Sequence, residues 1–208
     1  ALPISDRCLA VDANGEEVDG DQIIAILANG LNARGELTSN TVVATVMSNL
    51  GFMKSMEAAN IKVELTGVGD RYVLEKMLSD DLILGGEQSG HVIFRKYANT
   101  GDGILTALML LQELKRSNKS MAEAAAIMQK FPQVLINVRI AKDQNWKDSP
   151  QLAAVTQAVE TELGDSGRIL IRASGTEPLV RVMVEAESSE TANKIATKIA
   201  ELVRLELK

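Results

Sequence analysis

The stretch RASGTEPLVRVMVE, residues 172–185, decides the fold of the C-terminal part of the chain. Its second half, LVRVMVE (179–185), is apolar and β-branched and reads as a strand, as does RILIR (168–172) just upstream. Between them lie six small or polar residues, where a two-residue turn would reverse the chain. Ser149-Pro150 is a helix start, with serine as N-cap and proline at the first helical position. Leu152, Val155, Val159 and Leu163 give that helix a buried stripe. Further upstream, VLINVRI (134–140) alternates, with Val134, Ile136, Val138 and Ile140 on one face. Downstream, a helix over about 189–206 buries Ile195, Ile199, Leu202 and Val203. The order β-α-β-β-α predicts a small α+β domain with an antiparallel sheet and helices on one face.

Pro132 marks a boundary, and the pattern before it differs. RCLAVDANGEEVDGDQ (7–22) reads as a strand, an Asn14-Gly15 hairpin turn and a short second strand. Asp19 or Asp21 can cap a helix over 22–33. Strands follow at 41–46, 62–67, 81–86 and 91–94, with helices near 49–59 and over 70–79, the latter with Tyr72, Val73, Met77 and Leu78 as its apolar side. TGDGILTALMLLQELKRS (100–117) spaces Ile104, Leu105, Leu108, Leu111 and Leu114 as a helical stripe, and a further helix covers 120–129. Alternating strands and helices predict a mixed-sheet α/β domain ahead of the α+β domain.

The composition narrows function. A formal charge of −6 argues against a broad nucleic-acid surface, which needs clustered Lys and Arg. A small anion can still be held by a few local arginines and backbone N–H groups. The single cysteine, Cys8, allows no intrachain disulfide and fits a reducing compartment. No apolar run approaches the ~20 residues of a membrane span, and the start of the sequence lacks the pattern of a signal peptide. A cytoplasmic location is the expectation.

Three polar loops carry the chemistry. RASGTEP (172–178) can turn several N–H groups toward one point. Ser174 and Thr176 add hydroxyls, Gly175 allows close approach, and Arg172 and Arg181 supply charge shaped for phosphate. The same residues also suit an irregular hairpin with surface arginines. GGEQSGH (85–91) offers Glu87, Gln88, Ser89 and His91 between two strands, as a sugar-hydroxyl site would, or simply a hairpin turn. TGVGDRY (66–72) reads either as a tight turn with Asp70 as N-cap, or as a cleft rim carrying Asp70 and Arg71.

Taken in order, GEQSGH (86–91) and RASGTEPLVRVMVE (172–185), with VDGDQI (18–23), ATVMSNLGF (44–52), VGDRYV (68–73), TGDG (100–103) and MQKFPQ (128–133), resemble the α-D-phosphohexomutase superfamily. The resemblance is greatest to its bacterial phosphoglucosamine mutase branch, which Asp70 favours, and it covers about residues 6–208. It implies that 19–129 is the family's third domain, an α/β sugar-binding domain. Residues 130–208 would be the fourth, phosphate-binding domain, and 1–18 a remnant of the preceding metal-binding domain. Two departures stand out. The family's metal loop reads Asp-Gly-Asp-Gly-Asp-Arg, and only Asp6 and Arg7 match its end, with ALPIS (1–5) in place of the rest. The phosphoserine, in a Thr-Arg-x-Ser-Gly setting, has no counterpart: the Ser-Gly pairs at 89–90, 166–167 and 174–175 lack that context.

The resemblance implies that the intact enzyme is an isomerase. It would interconvert glucosamine 6-phosphate and glucosamine 1-phosphate through a phosphoserine and a bisphosphate intermediate, and supply amino-sugar nucleotide and cell-wall precursors. Glu87, Ser89 and His91 would hold the sugar. Arg172, Ser174, Gly175, Thr176 and Arg181 would hold the phosphate. No catalytic residue falls in this chain. Mg²⁺ belongs to the intact enzyme and no cofactor is expected here, Asp6 being a lone remnant of a three-Asp loop with Arg7 adjacent. The expected partner is a phosphosugar, with no nucleic acid and no membrane, and a homodimer of the intact protein is left open. The alternatives are a phosphomannomutase/phosphoglucomutase fragment or a non-catalytic sugar-phosphate binding module.

Overall fold

The computed structural model describes residues 5–141, 146–174 and 177–207. The chain forms two compact units, Ala1–Lys130 and Phe131–Lys208.

In the first unit a two-stranded ladder, β1 (Ala10–Val11) and β2 (Glu17–Val18), leads into helix α1 (Gly20–Ala33). The connection between the strands is longer than an Asn-Gly hairpin. Asp12 accepts the amides of Asn14 (2.7 Å) and Glu16 (3.0 Å), so its carboxylate organises a five-residue loop around Gly15. Asp19, not Asp21, caps α1, accepting from the Gln22 amide at 3.1 Å. There follow β3 (Thr41–Thr45), α2 (Leu50–Ala58), β4 (Lys62–Thr66), α3 (Asp70–Ser79), β5 (Leu84–Gly86), β6 (Val92–Phe94), α4 (Gly103–Ser117) and α5 (Met121–Ala125).

The sheet order is β4-β3-β5-β6, with β3 parallel to β4 and β5, and β6 antiparallel to β5. Every residue of β3 is buried, as a parallel strand covered on both faces requires. Val42 and Ala44 pack with Ile23 and Ile24 of α1, Phe52 and Met56 of α2 and Leu110 of α4. Val43 points the other way, to Val73 and Met77 of α3. The unit is therefore a three-layer α/β/α sandwich around a mixed sheet.

Two helices present other faces than their apolar spacing suggests. On α4, Ile104, Leu108 and Leu111 are 60% or more exposed, while Thr106, Leu110 and Glu113 are buried. Residues 104–111 are nearly all apolar, so spacing alone selects no face. On the buried face the Glu113 carboxylate takes an ion pair from Arg34 at 2.8 Å over the small Gly30, where a Cβ would collide with it. On α3 only Val73 and Met77 are buried, and Tyr72 and Leu78 lie about half exposed. One helix covering a sheet needs only a narrow stripe. The last helix of this unit, α5, is a single short piece closed by a Ser120–Glu123 capping box, shorter than its spacing suggests.

The second unit contains β7 (Gln133–Arg139), α6 (Pro150–Leu163), β8 (Gly167–Ala173), β9 (Leu179–Ala186) and α7 (Ser189–Glu206). The sheet is antiparallel, in the order β7-β9-β8. Val138, Ile169, Ile171, Val180, Val182 and Val184 face one core with Leu152 and Val159 of α6 and Ile199 and Val203 of α7. Ile195 and Leu202 only flank this core; Ala192, Ala196 and Ala200 take the innermost places on α7, their small side chains letting the helix lie close to the sheet.

Ser149 ties the two helices together. Its hydroxyl accepts from the Leu152 amide at 3.2 Å as N-cap and donates to Glu206 Oε2 at 2.8 Å. Ser149→Ala removes both bonds and is expected to cost about 1–2 kcal/mol, read as a lower urea midpoint at unchanged slope. An unshifted midpoint would show that the cap contributes nothing.

Candidate functional site

Because β3, β4 and β5 run parallel, their carboxyl ends share one edge of the first sheet, the edge where ligands bind in open α/β folds. The 86–91 loop leaves β5 at that edge. The Glu87 amide donates to the His91 carbonyl (2.9 Å) and the Gly90 amide to the Glu87 carbonyl (3.0 Å). Gly90 has φ +90°, and a Cβ there would strike the Cys8 carbonyl, so only glycine fits. The loop is fastened from outside as well: the Cys8 amide donates to Gly90 and the Gly20 amide to Gln88, each at 2.9 Å.

Two side chains of this loop reach neighbouring loops. Glu87 Oε1 accepts the Gly69 amide at 3.1 Å, tying the 86–91 loop to the turn before α3. His91 is buried, and its Nε2 accepts the Gly101 amide at 3.2 Å. Its other nitrogen, Nδ1, faces Asp6 Oδ2 at 3.5 Å. Asp70 Oδ2 lies 3.7 Å from Nε2. A Cβ on Gly101 would overlap the imidazole. The N-cap of α3 is Gly69; Asp70 is the first helical residue and its Oδ1 accepts the Arg71 amide at 2.9 Å.

Asp6, Asp70, Glu87 and His91 thus converge from three loops, with Ser89 exposed at the turn. Arg71 does not join them, since its guanidinium pairs along α3 with Glu75 at 2.7 Å. Arg7 is exposed, its backbone bridged to His91. The backbone amides of Gly69 and Gly101, which hold Glu87 and His91, are parts of this candidate site that side-chain reasoning passed over; the glycines themselves, in VGD and TGDG, were the visible signal. As a magnesium site the group does not fit. Asp6 is a single carboxylate facing an imidazole, no cluster of three metal-binding side chains exists among the described residues, and the ion wants several oxygen donors.

In the second unit Arg172 and Arg181 sit directly opposite each other in the β8–β9 ladder, on the sheet face away from the helices. Like charges so placed repel. Both Nε atoms are buried with no hydrogen-bond partner among the described residues. Burial, and then the charge of Arg181, push the Arg172 guanidinium below its ordinary pKa. The nearest acid on this face, Glu185, is taken by Arg168 at 2.6 Å. It lies four residues away along β9, about 13 Å. The connecting loop is closed by the Ser174 amide donating to the Leu179 carbonyl (2.9 Å), and Ser174 Oγ accepts the Glu177 amide at 3.3 Å. Gly175 and Thr176 lie outside the described residues. Two partly buried arginines set opposite one another, their Nε donors unused among the described residues, have the charge and the free donors that an anion requires.

The three-layer unit and the α+β unit correspond to two successive family models. Residues 19–131 match the phosphoglucomutase/phosphomannomutase alpha/beta/alpha domain III, and residues 135–202 match the phosphoglucomutase/phosphomannomutase C-terminal domain. The chain belongs to the phosphoglucomutase/phosphomannomutase family, the phosphohexomutases. Among curated relatives it is 56% identical to the phosphoglucosamine mutase of Leifsonia xyli subsp. xyli, over 96% of this chain and 44% of the relative. It is also 56% identical to that of Frankia alni, over 98% of this chain and 45% of the relative. It thus spans somewhat under half the length of these relatives and corresponds to their C-terminal portion. In fold it is similar to the N-acetylphosphoglucosamine mutase of Aspergillus fumigatus, solved with GlcNAc-6P and magnesium. The TM-score is 0.81 at 22% identity, over 98% of this chain and 48% of that one.

Glu87→Ala removes the acceptor of the Gly69 amide. Hydrogen exchange at that amide is expected to accelerate about tenfold or more, measured by NMR. An unchanged rate would mean that the two loops are held together by other contacts.

Proposed function

We propose that this chain is the phosphosugar-binding portion of a phosphoglucosamine mutase, which in intact form interconverts glucosamine 6-phosphate and glucosamine 1-phosphate. The observation that carries the reading is the facing pair Arg172 and Arg181, their Nε atoms buried and without a counter-charge among the described residues, in a chain 56% identical to phosphoglucosamine mutases. In this reading Arg172, Ser174, Gly175, Thr176 and Arg181 grip the phosphate that does not react. Glu87 and Ser89 take sugar hydroxyls, and His91 and Asp70 stiffen the sugar loop. Glu87 is suited to this because a carboxylate that already accepts one N–H keeps further lone pairs for hydroxyl groups.

A mutase must bind both isomers with the phosphate gripped at either end of the sugar. A phosphoserine gives its phosphoryl group to the free hydroxyl, forming a bisphosphate, and the other phosphoryl group then returns to the serine. Phosphoryl transfer rests on positioning and charge neutralisation. This chain supplies positioning and part of the positive charge. Its serines lack the phosphoserine setting, and magnesium would need oxygen donors beyond Asp6. The chain alone is therefore a binder without turnover. The amino-sugar nucleotide and cell-wall precursor role, and the cytoplasmic location, belong to the same proposal for the intact enzyme.

Calorimetric titration with glucosamine 6-phosphate, glucose 6-phosphate and inorganic phosphate tests it. Glucosamine 6-phosphate is expected to bind best, and Arg172→Ala to weaken it at least about tenfold, or roughly 1.4 kcal/mol. Preference for glucose 6-phosphate would move the chain to the glucose and mannose branch. Absence of binding by a chain that melts cooperatively would sink the proposal, and turnover abolished by Arg172→Ala would sink the claim of an inactive portion.

A further inference from the structure

We infer that Arg139 is a third phosphate-holding side chain of the C-terminal unit, which with Arg172 and Arg181 makes a donor surface for a dianionic phosphate monoester. The inference rests on the phosphosugar reading above and extends it to strand β7.

The sheet register carries the argument. Asn137 pairs with Arg181, which pairs with Arg172, so these three form one row across the face away from the helices. Arg139 pairs with Leu179 and so belongs to the next row of that face, on the loop side. Val138 between them points into the core and is 1% exposed, which fixes Asn137 and Arg139 outward. Arg139 and Arg181 are diagonal neighbours on adjacent strands, roughly 7–8 Å apart at the backbone and within reach of long side chains. The end of β7 is fastened to the anion loop itself, since the Ile140 amide donates to the Pro178 carbonyl at 3.1 Å.

Charge points the same way. Neither of these two rows contains a carboxylate, and Arg139 has no ion pair among the described residues. The one acid in the described part of the loop is Glu177, exposed, whose amide and carbonyl are used in closing the loop. A phosphate dianion has three oxygens to satisfy. Two guanidinium groups facing each other cover one side of it, and a third from the neighbouring strand closes the side toward β7. The competing account is that Arg139 only protects an edge strand, because β7 lies at the sheet margin and edges often carry charge.

The test is titration of the chain with inorganic phosphate and with glucosamine 6-phosphate, using wild type, Arg139→Gln, Arg139→Lys and Arg172→Ala, each checked by thermal melt. Arg139→Gln is expected to weaken both ligands by the same factor, roughly 5- to 20-fold, with Arg139→Lys in between and melting unchanged. Wild-type affinity in Arg139→Gln beside lost binding in Arg172→Ala would overturn the inference and leave the phosphosugar reading standing. Weakening of the sugar phosphate alone would overturn it too, by moving Arg139 to the sugar. If wild type binds neither ligand, both fall.

Discussion

The C-terminal unit depends on the register that sets Arg172 against Arg181. An antiparallel ladder alternates faces, so the pairing that turns Val180, Val182 and Val184 inward is the same one that turns Arg181 outward beside Arg172. Each of those valines is fully buried and contributes about 1.5–3 kcal/mol. The repulsion of two like charges across a ladder costs up to about 1 kcal/mol. Core burial therefore wins by a wide margin and holds the two guanidinium groups together before any anion arrives. On the proposed reading, a phosphate would find the site preorganised and would relieve a repulsion already present.

The first unit holds its polar loop by a different device. The 86–91 loop is short; its backbone is stitched to Cys8 and Gly20, and its Glu87 and His91 side chains accept the Gly69 and Gly101 amides. Glycine recurs at these joints because the segments approach too closely for a Cβ; at Gly20, Gly90 and Gly101 an added carbon would collide with backbone or imidazole. His91 is buried as a structural partner, with one nitrogen accepting from the backbone and the other facing Asp6. Ser89 is exposed and Glu87 partly so, and these are the side chains to which the proposed function gives the sugar hydroxyls.

Much of this was legible in the linear pattern. Ser149-Pro150 starts a helix at Pro150, the alternation of VLINVRI marks a strand, and RILIR and LVRVMVE are the paired strands on which two arginines meet. The motifs around Glu87 and Arg172 led to the phosphohexomutases, and the family match agrees with them. Other features left no trace in spacing. The first part of helix α4 is apolar almost all round, and its buried face carries Glu113, paired with Arg34, a residue 79 positions away in sequence. Arg71 looked like part of the cleft rim beside Asp70, but one i,i+4 carboxylate sufficed to draw it along the helix.

By itself, then, the sequence determined which segments are strands and helices, the order of the two units and the chemistry of the loops. Those properties follow from local spacing, capping and residue type. Tertiary structure decided which face of α4 is buried, that the Gly69 and Gly101 amides serve Glu87 and His91, and that Arg139 stands one row from the arginine pair. Such relations depend on strand register and on contacts between residues distant in the chain, and no local pattern encodes them.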